Sequence, residues 1–263
     1  IFMLGSLSGY WLFSFYIDTG AENSSTWLNV YYALAGMSVL TLILVLFSNI
    51  TKAEQPSSPT TVFNGFIKMI KMSYQGLVLI FVMSVFLYVL IEQGIGTWLP
   101  TFNSEVLGLP THVSVQMTSI FAAALALGRL LAGQILRYIN WYTFLNICLA
   151  GMALIILLLL PLTQEPTTDL VTSVFNAPAV AYLLPLIGLM MAPIYPVLNS
   201  VMLSSLARSK HSSMTGLIVV FSALGGTTGS IITGYSFEAL GGQKAFYLSL
   251  IPMALLVASL YFF

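Results

Sequence analysis

The sequence predicts an all-α integral membrane protein. Only 6% of its 263 residues are charged, whereas a soluble domain has about 25%. Hydrophobic residues make up 58% of the chain, and the mean hydropathy is +0.96. The apolar residues fall in runs of about 20, the length with which a helix crosses a bilayer. The alternating pattern of a membrane β-strand is not seen, so helices must satisfy the backbone in lipid.

Eight apolar runs qualify as spans. The first ends near Ile17, and the others cover residues 27–48, 76–99, 115–136, 142–162, 180–206, 214–235 and 245–263. We expect the chain to be a fragment whose beginning is missing, because it opens inside an apolar run with no initiator Met.

Lysine and arginine outside the spans fall mainly in alternate connections. One side of the membrane receives Lys244 and the other receives six residues, which are Lys52, Lys68, Lys71, Arg137, Arg208 and Lys210. By the positive-inside rule, the side with six is cytoplasmic, and the C-terminus lies there as well. We expect the location to be a bacterial inner (cytoplasmic) membrane.

The chain divides at a cytoplasmic linker, residues 50–73. Its first part is rich in Pro and Ser, which is typical of a flexible linker. Its second part, residues 66–71, carries two lysines, and we expect it to lie on the membrane surface as a short amphipathic helix. Residues 1–49 then hold the last two helices of one bundle, and residues 74–263 form a bundle of six.

The third run places a carboxylate inside a predicted span. A charge in hydrocarbon costs roughly 2.5–3.5 kcal/mol on insertion scales, so Glu92 is a functional candidate. On a helix, Tyr88 lies on the same face as Glu92, and Gln93 adds an amide beside it. No Lys or Arg partner is obvious at this depth, so we expect Glu92 to exchange a proton or to bind substrate hydroxyls. The alternative is a permanently protonated acid that only hydrogen-bonds a neighbouring helix.

Prolines interrupt the sixth run. Proline removes a backbone donor and clashes one turn back, so Pro185, Pro193 and Pro196 predict kinks or unwound turns. Tyr195 and Asn199 share a face beside the break and would form the wall of a cavity. The alternative is a packing kink with Asn199 bonded to an adjacent helix.

The seventh run contains a pair of glycines, Gly225 and Gly229, four residues apart. Such a small-xxx-small pair lets two helix backbones approach closely. We therefore expect this helix to pack tightly against a neighbour.

Four stretches carry a family resemblance. They are Leu87-Tyr88-Val89 through Glu92 to Trp98-Leu99-Pro100-Thr101-Phe102, then Gly128-Arg129-Leu130-Leu131-Ala132-Gly133 with Arg137, then Ala192-Pro193-Ile194-Tyr195-Pro196, and Ser213-Met214-Thr215-Gly216 followed by the glycines up to Gly234. The second resembles the signature that ends the eighth helix in the major facilitator superfamily. The others resemble the seventh, tenth and eleventh helices of its fucose-permease-like sugar–proton symporters. One departure is that the signature's usual acid is absent from residues 134–137.

The resemblance implies that the eight spans correspond to helices 5–12 of twelve in a major facilitator-type helical bundle. It also implies a secondary active transporter of a small polar solute, a sugar or related metabolite, coupled to protons and working by alternating access. The residues expected to bind substrate or proton are Glu92, Gln93, Tyr88, Tyr195 and Asn199. The residues expected to act in gating are Arg129, Arg137, Gly133, Pro193 and Pro196.

Two residues near these sites have competing interpretations. Arg129 lies about 12 Å deeper than Arg137 by helical rise, so it either snorkels to the cytoplasmic surface or bridges helix ends and stabilises one transport state. Thr97 and Trp98 are candidate sugar contacts together with Gln93, although Trp98 is equally suited to anchor the helix at the headgroups.

Other functions stay open at this stage. A proton-driven exporter of a metabolite or amphipathic compound would have the same fold, as would a receptor or scaffold that moves no substrate. Enzyme signatures are not found, and His112 and His211 fall in opposite loops, away from the single Cys148. We expect no enzymatic activity, no cofactor or metal and no nucleic-acid partner. The expected partners are a small-molecule substrate, protons and the lipid bilayer, and the expected state is a monomer.

Overall fold

The computed structural model describes residues 2–17, 28–48, 62–163, 171 and 173–262, and these residues contain α-helices, short 3-10 turns and no strands. The α-helices are α1 (Phe2–Ile17), α2 (Asn29–Phe47), α3 (Val62–Ser73), α4 (Gly76–Glu105), α5 (Thr111–Ile135), α6 (Trp141–Leu162), α7 (Leu183–Met191), α8 (Ile194–Ser205), α9 (Arg208–Leu240), α10 (Gly242–Tyr247) and α11 (Leu250–Tyr261). The predicted all-α membrane fold is confirmed.

Seven segments of the described chain are long and apolar enough to cross a bilayer. They are α2, α4, α5, α6, the consecutive helices α7 and α8 with the turn before them, α9, and the consecutive helices α10 and α11. The remaining predicted span, the first of the eight apolar runs, is α1, which is helical over its 16 described residues. Two spans are clearly longer than predicted. Helix α4 continues through Pro100 and ends six residues past Leu99, and α9 begins six residues before Met214 and ends five residues past Tyr235. A proline is tolerated in a membrane helix where neighbours satisfy the freed carbonyl.

The predicted amphipathic segment of the linker is helical and forms part of α3. This helix packs against α9 and α4, and the Met69 sulfur lies where a side chain at Gly216 would project. The Pro/Ser-rich part of the linker lies outside the described residues. The division of the chain at residues 50–73 therefore stays a prediction.

The most extensive helix contact is between α4 and α9. Gly225 of α9 lies against the Phe86 carbonyl, and Gly229 lies against the Leu90 carbonyl. A Cβ atom at either glycine would overlap the α4 backbone. The close approach predicted from the glycine spacing is confirmed, and it fixes the turn of α4 that precedes Glu92.

Helices α5 and α7 are also held at close range. A side chain at Gly128 of α5 would overlap the Leu189 carbonyl of α7, and one at Gly188 of α7 would overlap Phe121 of α5. In membranes, small residues at helix contacts give van der Waals packing where the hydrophobic effect between helices is absent. The backbones of α5 and α7 therefore approach each other through reciprocal glycines.

The contact between α1 and α5 includes hydrogen bonds between side chains. The Trp11 indole donates to the Ser119 hydroxyl at 3.1 Å, and the Gln116 amide donates to the Ser14 hydroxyl at 2.8 Å. The Ser14 hydroxyl in turn donates to the His112 carbonyl at 3.3 Å. We call this set of residues the polar seam. It joins the helix that opens the chain to the six spans that begin with α4.

Substituting Gly229 tests the α4–α9 packing. Gly229→Ala is expected to destabilise the protein by about 1–3 kcal/mol, the usual cost of overpacking, because the new methyl overlaps the Leu90 backbone. The matched control is Gly133→Ala, since no described atom lies within 4 Å of its added Cβ. Alanine is a better helix former by roughly 0.8–1.0 kcal/mol, so this control should be neutral or stabilising. Thermal unfolding in detergent measures both, and equal melting temperatures would contradict the packing argument.

Candidate functional site

A cavity of about 580 Å³ lies where α1, α4, α5, α8 and α9 meet, and we call it the central cavity. Its size is within the range of small-molecule sites. It is lined by Tyr10, Val89, Glu92, Gln93, Gly96, Thr97, Phe121, Ala122, Leu125, Arg129, Tyr195, Pro196 and Ser222. Hydroxyl, amide and charged groups share this lining with apolar side chains.

Glu92 faces the central cavity and forms an ion pair with Arg129. The Glu92 Oε1 atom lies 4.0 Å from Arg129 Nη2, and 21% of the Glu92 side chain is exposed. The expectation that Glu92 has no cationic partner at its depth is therefore wrong. Each charge alone would cost roughly 2.5–3.5 kcal/mol in hydrocarbon, and pairing offsets part of that cost.

The reason for this error is the length of α4. Because the helix ends at Glu105 and not at Leu99, Glu92 lies near the middle of α4. Arg129 lies one and a half turns before the end of α5, and its long side chain extends the reach of the guanidinium. The two residues meet although they are far apart in sequence and were placed at different depths.

Arg129 has hydrogen-bonding capacity that Glu92 does not use. The 4.0 Å between Glu92 Oε1 and Arg129 Nη2 exceeds the length of about 2.7–2.9 Å that is typical of a charge-assisted hydrogen bond. Its Nε atom is buried and has no partner within the described part of the chain. Arg129 also lines a second cavity of about 570 Å³ between α5 and α8, together with Gly133 and Pro196. Arg129 and Pro196 therefore border both cavities.

Tyr88 packs against a residue of the cavity wall but does not line the central cavity itself. Its side chain is fully buried, and its hydroxyl donates to the Met191 carbonyl at 3.1 Å. Its ring centroid lies 6.0 Å from that of Tyr195. Tyr195 lines the central cavity, with its hydroxyl 3.3 Å from the Ser222 hydroxyl. Of the two tyrosines predicted to bind substrate, Tyr195 is the one that borders the cavity.

The sixth predicted span is interrupted between α7 and α8, although the two residues there keep right-handed helical dihedral angles. The break falls at Ala192 and Pro193, as the sequence predicts. Pro185 and Pro196 were also expected to interrupt the span, but each occupies the first turn of its helix. The amides of a first turn have no intrahelical acceptor, so proline costs little there.

Asn199 does not line the central cavity. Its Oδ1 atom is buried without a hydrogen-bond partner among the residues described. The predicted alternative, an amide bonded to an adjacent helix, is not observed for this oxygen. Its predicted role in substrate binding stays a prediction.

The other predicted contacts separate into two groups. Gln93 and Thr97 line the central cavity. The Trp98 indole instead donates to the Ser230 carbonyl at 2.9 Å and stacks on Phe237 at 5.3 Å between ring centroids. Trp98 therefore connects α4 to α9 and does not line the central cavity.

The predicted gating residues Arg137 and Gly133 are exposed at the end of α5. Gly128, at the start of the same motif, is the glycine that packs against α7. Sequence reasoning also missed Tyr10 and Ser222. Both are ordinary polar residues in apolar runs, and no pattern distinguishes them.

The comparisons agree with this architecture. A family model for the Major Facilitator Superfamily matches residues 1–181 of the 263. The matched range includes both members of the ion pair, Glu92 and Arg129. A comparison with curated proteins gives no match. The narrower resemblance to fucose-permease-like symporters depends on the sequence motifs alone.

Thiol labelling tests the lining of the central cavity. Cys148, the one cysteine in these 263 residues, is 2% exposed and is replaced by serine in the background protein, as is any cysteine outside them. Thr97→Cys should react about tenfold or more faster with a polar maleimide than Ile95→Cys, since buried thiols are inert and Ile95 is 1% exposed. Labelling of the detergent-solubilised full-length protein, followed by mass spectrometry, measures the rates. Similar rates would show that Thr97 does not border a water-accessible space.

Proposed function

Because the chain belongs to the Major Facilitator Superfamily and is therefore a membrane transporter, we propose that it moves a small polar solute by proton-coupled alternating access. The solute is a sugar or related metabolite. The observation that carries this proposal is the central cavity, in which the Glu92–Arg129 pair lies among hydroxyl and amide groups.

The lining favours a polar solute over an amphipathic one. Gln93, Thr97, Tyr195 and Ser222 supply an amide and three hydroxyls to the cavity. Gln93 and Thr97 are exposed and Tyr195 and Ser222 are half-buried, so a solute that covers these groups must offer them hydrogen-bond partners. Phe121 supplies an aromatic surface beside them. An exporter of apolar compounds would be better served by a cavity without these groups.

Glu92 supports proton coupling through its contact with Arg129. A carboxylate away from bulk water keeps its charge at low cost only while a counter-charge is near. When the guanidinium moves away or binds another anion, the Glu92 carboxylate takes up a proton. One site can thus alternate between an ionised pair and a protonated acid.

The helix geometry supports alternating access. Ala192 and Pro193 interrupt the helical hydrogen bonding of one span while its backbone keeps helical dihedral angles, and prolines are usual sites at which a helix bends. Arg129 borders both the central cavity and the second cavity. We propose that Arg129, Arg137, Gly133, Pro193 and Pro196 act in gating. We also propose that the C-terminus is cytoplasmic and that the working unit is a monomer in a bacterial inner membrane.

Replacing Glu92 tests the coupling. Glu92→Gln should lose at least about tenfold of the uptake driven by a pH gradient, because the amide cannot carry the proton and leaves Arg129 without its counter-charge. The control is Glu105→Gln at the end of the same helix, which should behave like the native protein. Uptake of a panel of sugars and sugar acids into proteoliposomes provides the measurement. Full pH-driven uptake by Glu92→Gln would remove Glu92 from the coupling mechanism.

A further inference from the structure

We infer that the solute of the central cavity is a small hydroxylated monocarboxylate whose carboxylate binds Arg129 while Glu92 holds a proton. The inference rests on the proposed function and narrows its solute class. Two features of the site support it. They are the incomplete hydrogen bonding of the Arg129 guanidinium and the net charge of the cavity when it is empty and when it is loaded.

Arg129 has room for a second anionic partner. A guanidinium offers five N–H donors and accepts none. Glu92 lies 4.0 Å from the nearest described contact, Nη2, and Nε has no partner among the described residues. The side chain is 35% exposed and lines the central cavity. A carboxylate can bind such a group through two parallel hydrogen bonds, which Glu92 does not form.

Charge balance favours a monoanion. In the empty cavity, ionised Glu92 and Arg129 sum to zero, and they are the charged residues among those that line it. A bound monocarboxylate adds one negative charge, and a proton on the Glu92 carboxylate restores zero. Because net charge in a membrane interior is costly, the anion and the proton bind together and are released together.

Other solute classes leave a charge behind. A neutral sugar bound with protonated Glu92 would leave Arg129 as an unpaired cation. A phosphate monoester carries about −1.5 to −2 at neutral pH, which one proton on Glu92 cannot balance. The monocarboxylate is the class that leaves the cavity neutral both when empty and when loaded.

The groups around Glu92 leave it as the proton acceptor at neutral pH. Tyr88 lies one turn away on α4, Arg129 faces it from α5, and Tyr195 and Tyr10 border the same cavity from α8 and α1. Helix α9 contributes Ser222 to this cavity. Free tyrosine and arginine side chains titrate at about pH 10 and above, far from neutrality. The hydroxyls are then available to bind those of the solute.

Electrical measurements on the full-length protein in proteoliposomes test the inference. The probes are acids paired with neutral counterparts: gluconate with sorbitol, galacturonate with galactose, and glycerate with glycerol. We expect a pH gradient to drive accumulation of at least one of the acids. A potassium diffusion potential set with valinomycin should not drive it, because a proton and a monoanion move no net charge. Symport of a neutral sugar with a proton would respond to both.

Variants locate the anion on Arg129. Each acid is first tested for the rise that it causes in the melting temperature of the native protein. The acid with the largest rise should lose its effect in Arg129→Gln and keep it in Arg208→Gln, a control at the exposed start of α9. Glu92→Gln/Arg129→Gln removes both charges and keeps the cavity neutral, so it should fold and yet bind no acid. In the native protein, affinity should fall up to about tenfold per pH unit above neutrality, since one proton binds with each anion. In Glu92→Gln, this affinity should not depend on pH.

The outcomes separate this inference from the proposed function. Accumulation of a neutral counterpart at least as strong as that of its acid, or accumulation driven by the potential, would overturn the monocarboxylate class and leave proton-coupled transport standing. Acid binding that survives Arg129→Gln would also overturn it. Acid accumulation that ignores the pH gradient would instead overturn proton coupling. If neither acids nor neutral solutes move, both proposals fail.

Discussion

The arrangement of this bundle depends on a rule of the membrane interior, where a charge is tolerated when an opposite charge lies near it. Glu92 and Arg129 belong to different helices, and neither helix would hold its charge at the same cost alone. The 4.0 Å contact between them therefore links the position of α4 to that of α5. Both residues line the central cavity, so the same ion pair connects the two helices and places charge in the cavity wall.

The bundle surrounds this pair with two kinds of helix contact. Within the six spans, glycines bring backbones together, as Gly229 does against Leu90 and Gly128 does against Leu189. At the polar seam, hydrogen bonds between side chains join α1 to α5. Backbone contacts of the first kind leave little freedom, whereas water can replace the hydrogen bonds of the second kind when helices separate. The glycine contacts thus lie inside the six-span unit, whereas its boundary with α1 contains hydrogen bonds that water can replace.

Much of the fold could be predicted because apolar runs, glycine spacing and proline positions act locally or along one helix face. The same reasoning identified Glu92, Gln93, Thr97 and Tyr195, which all border the central cavity. The partner of Glu92 could not be found this way. Pairing across helices depends on how far each helix extends and on how it tilts, and the predicted apolar run ended at Leu99, six residues before the end of α4. The contacts of Trp98 could not be predicted for a similar reason, because a side chain near a cavity-lining residue on one helix can still turn toward another helix.

The hydroxyl of Tyr88 has a mechanical consequence. It is one turn from Glu92 on α4 and donates to the carbonyl of Met191, the last residue of α7 before the break. A hydrogen bond survives only a few tenths of an ångström of stretching (~0.3 Å) before it weakens. Any displacement of this part of α4 must therefore carry the end of α7 with it or release the bond. Tyr88 thus connects the helix that carries Glu92 to the end of α7.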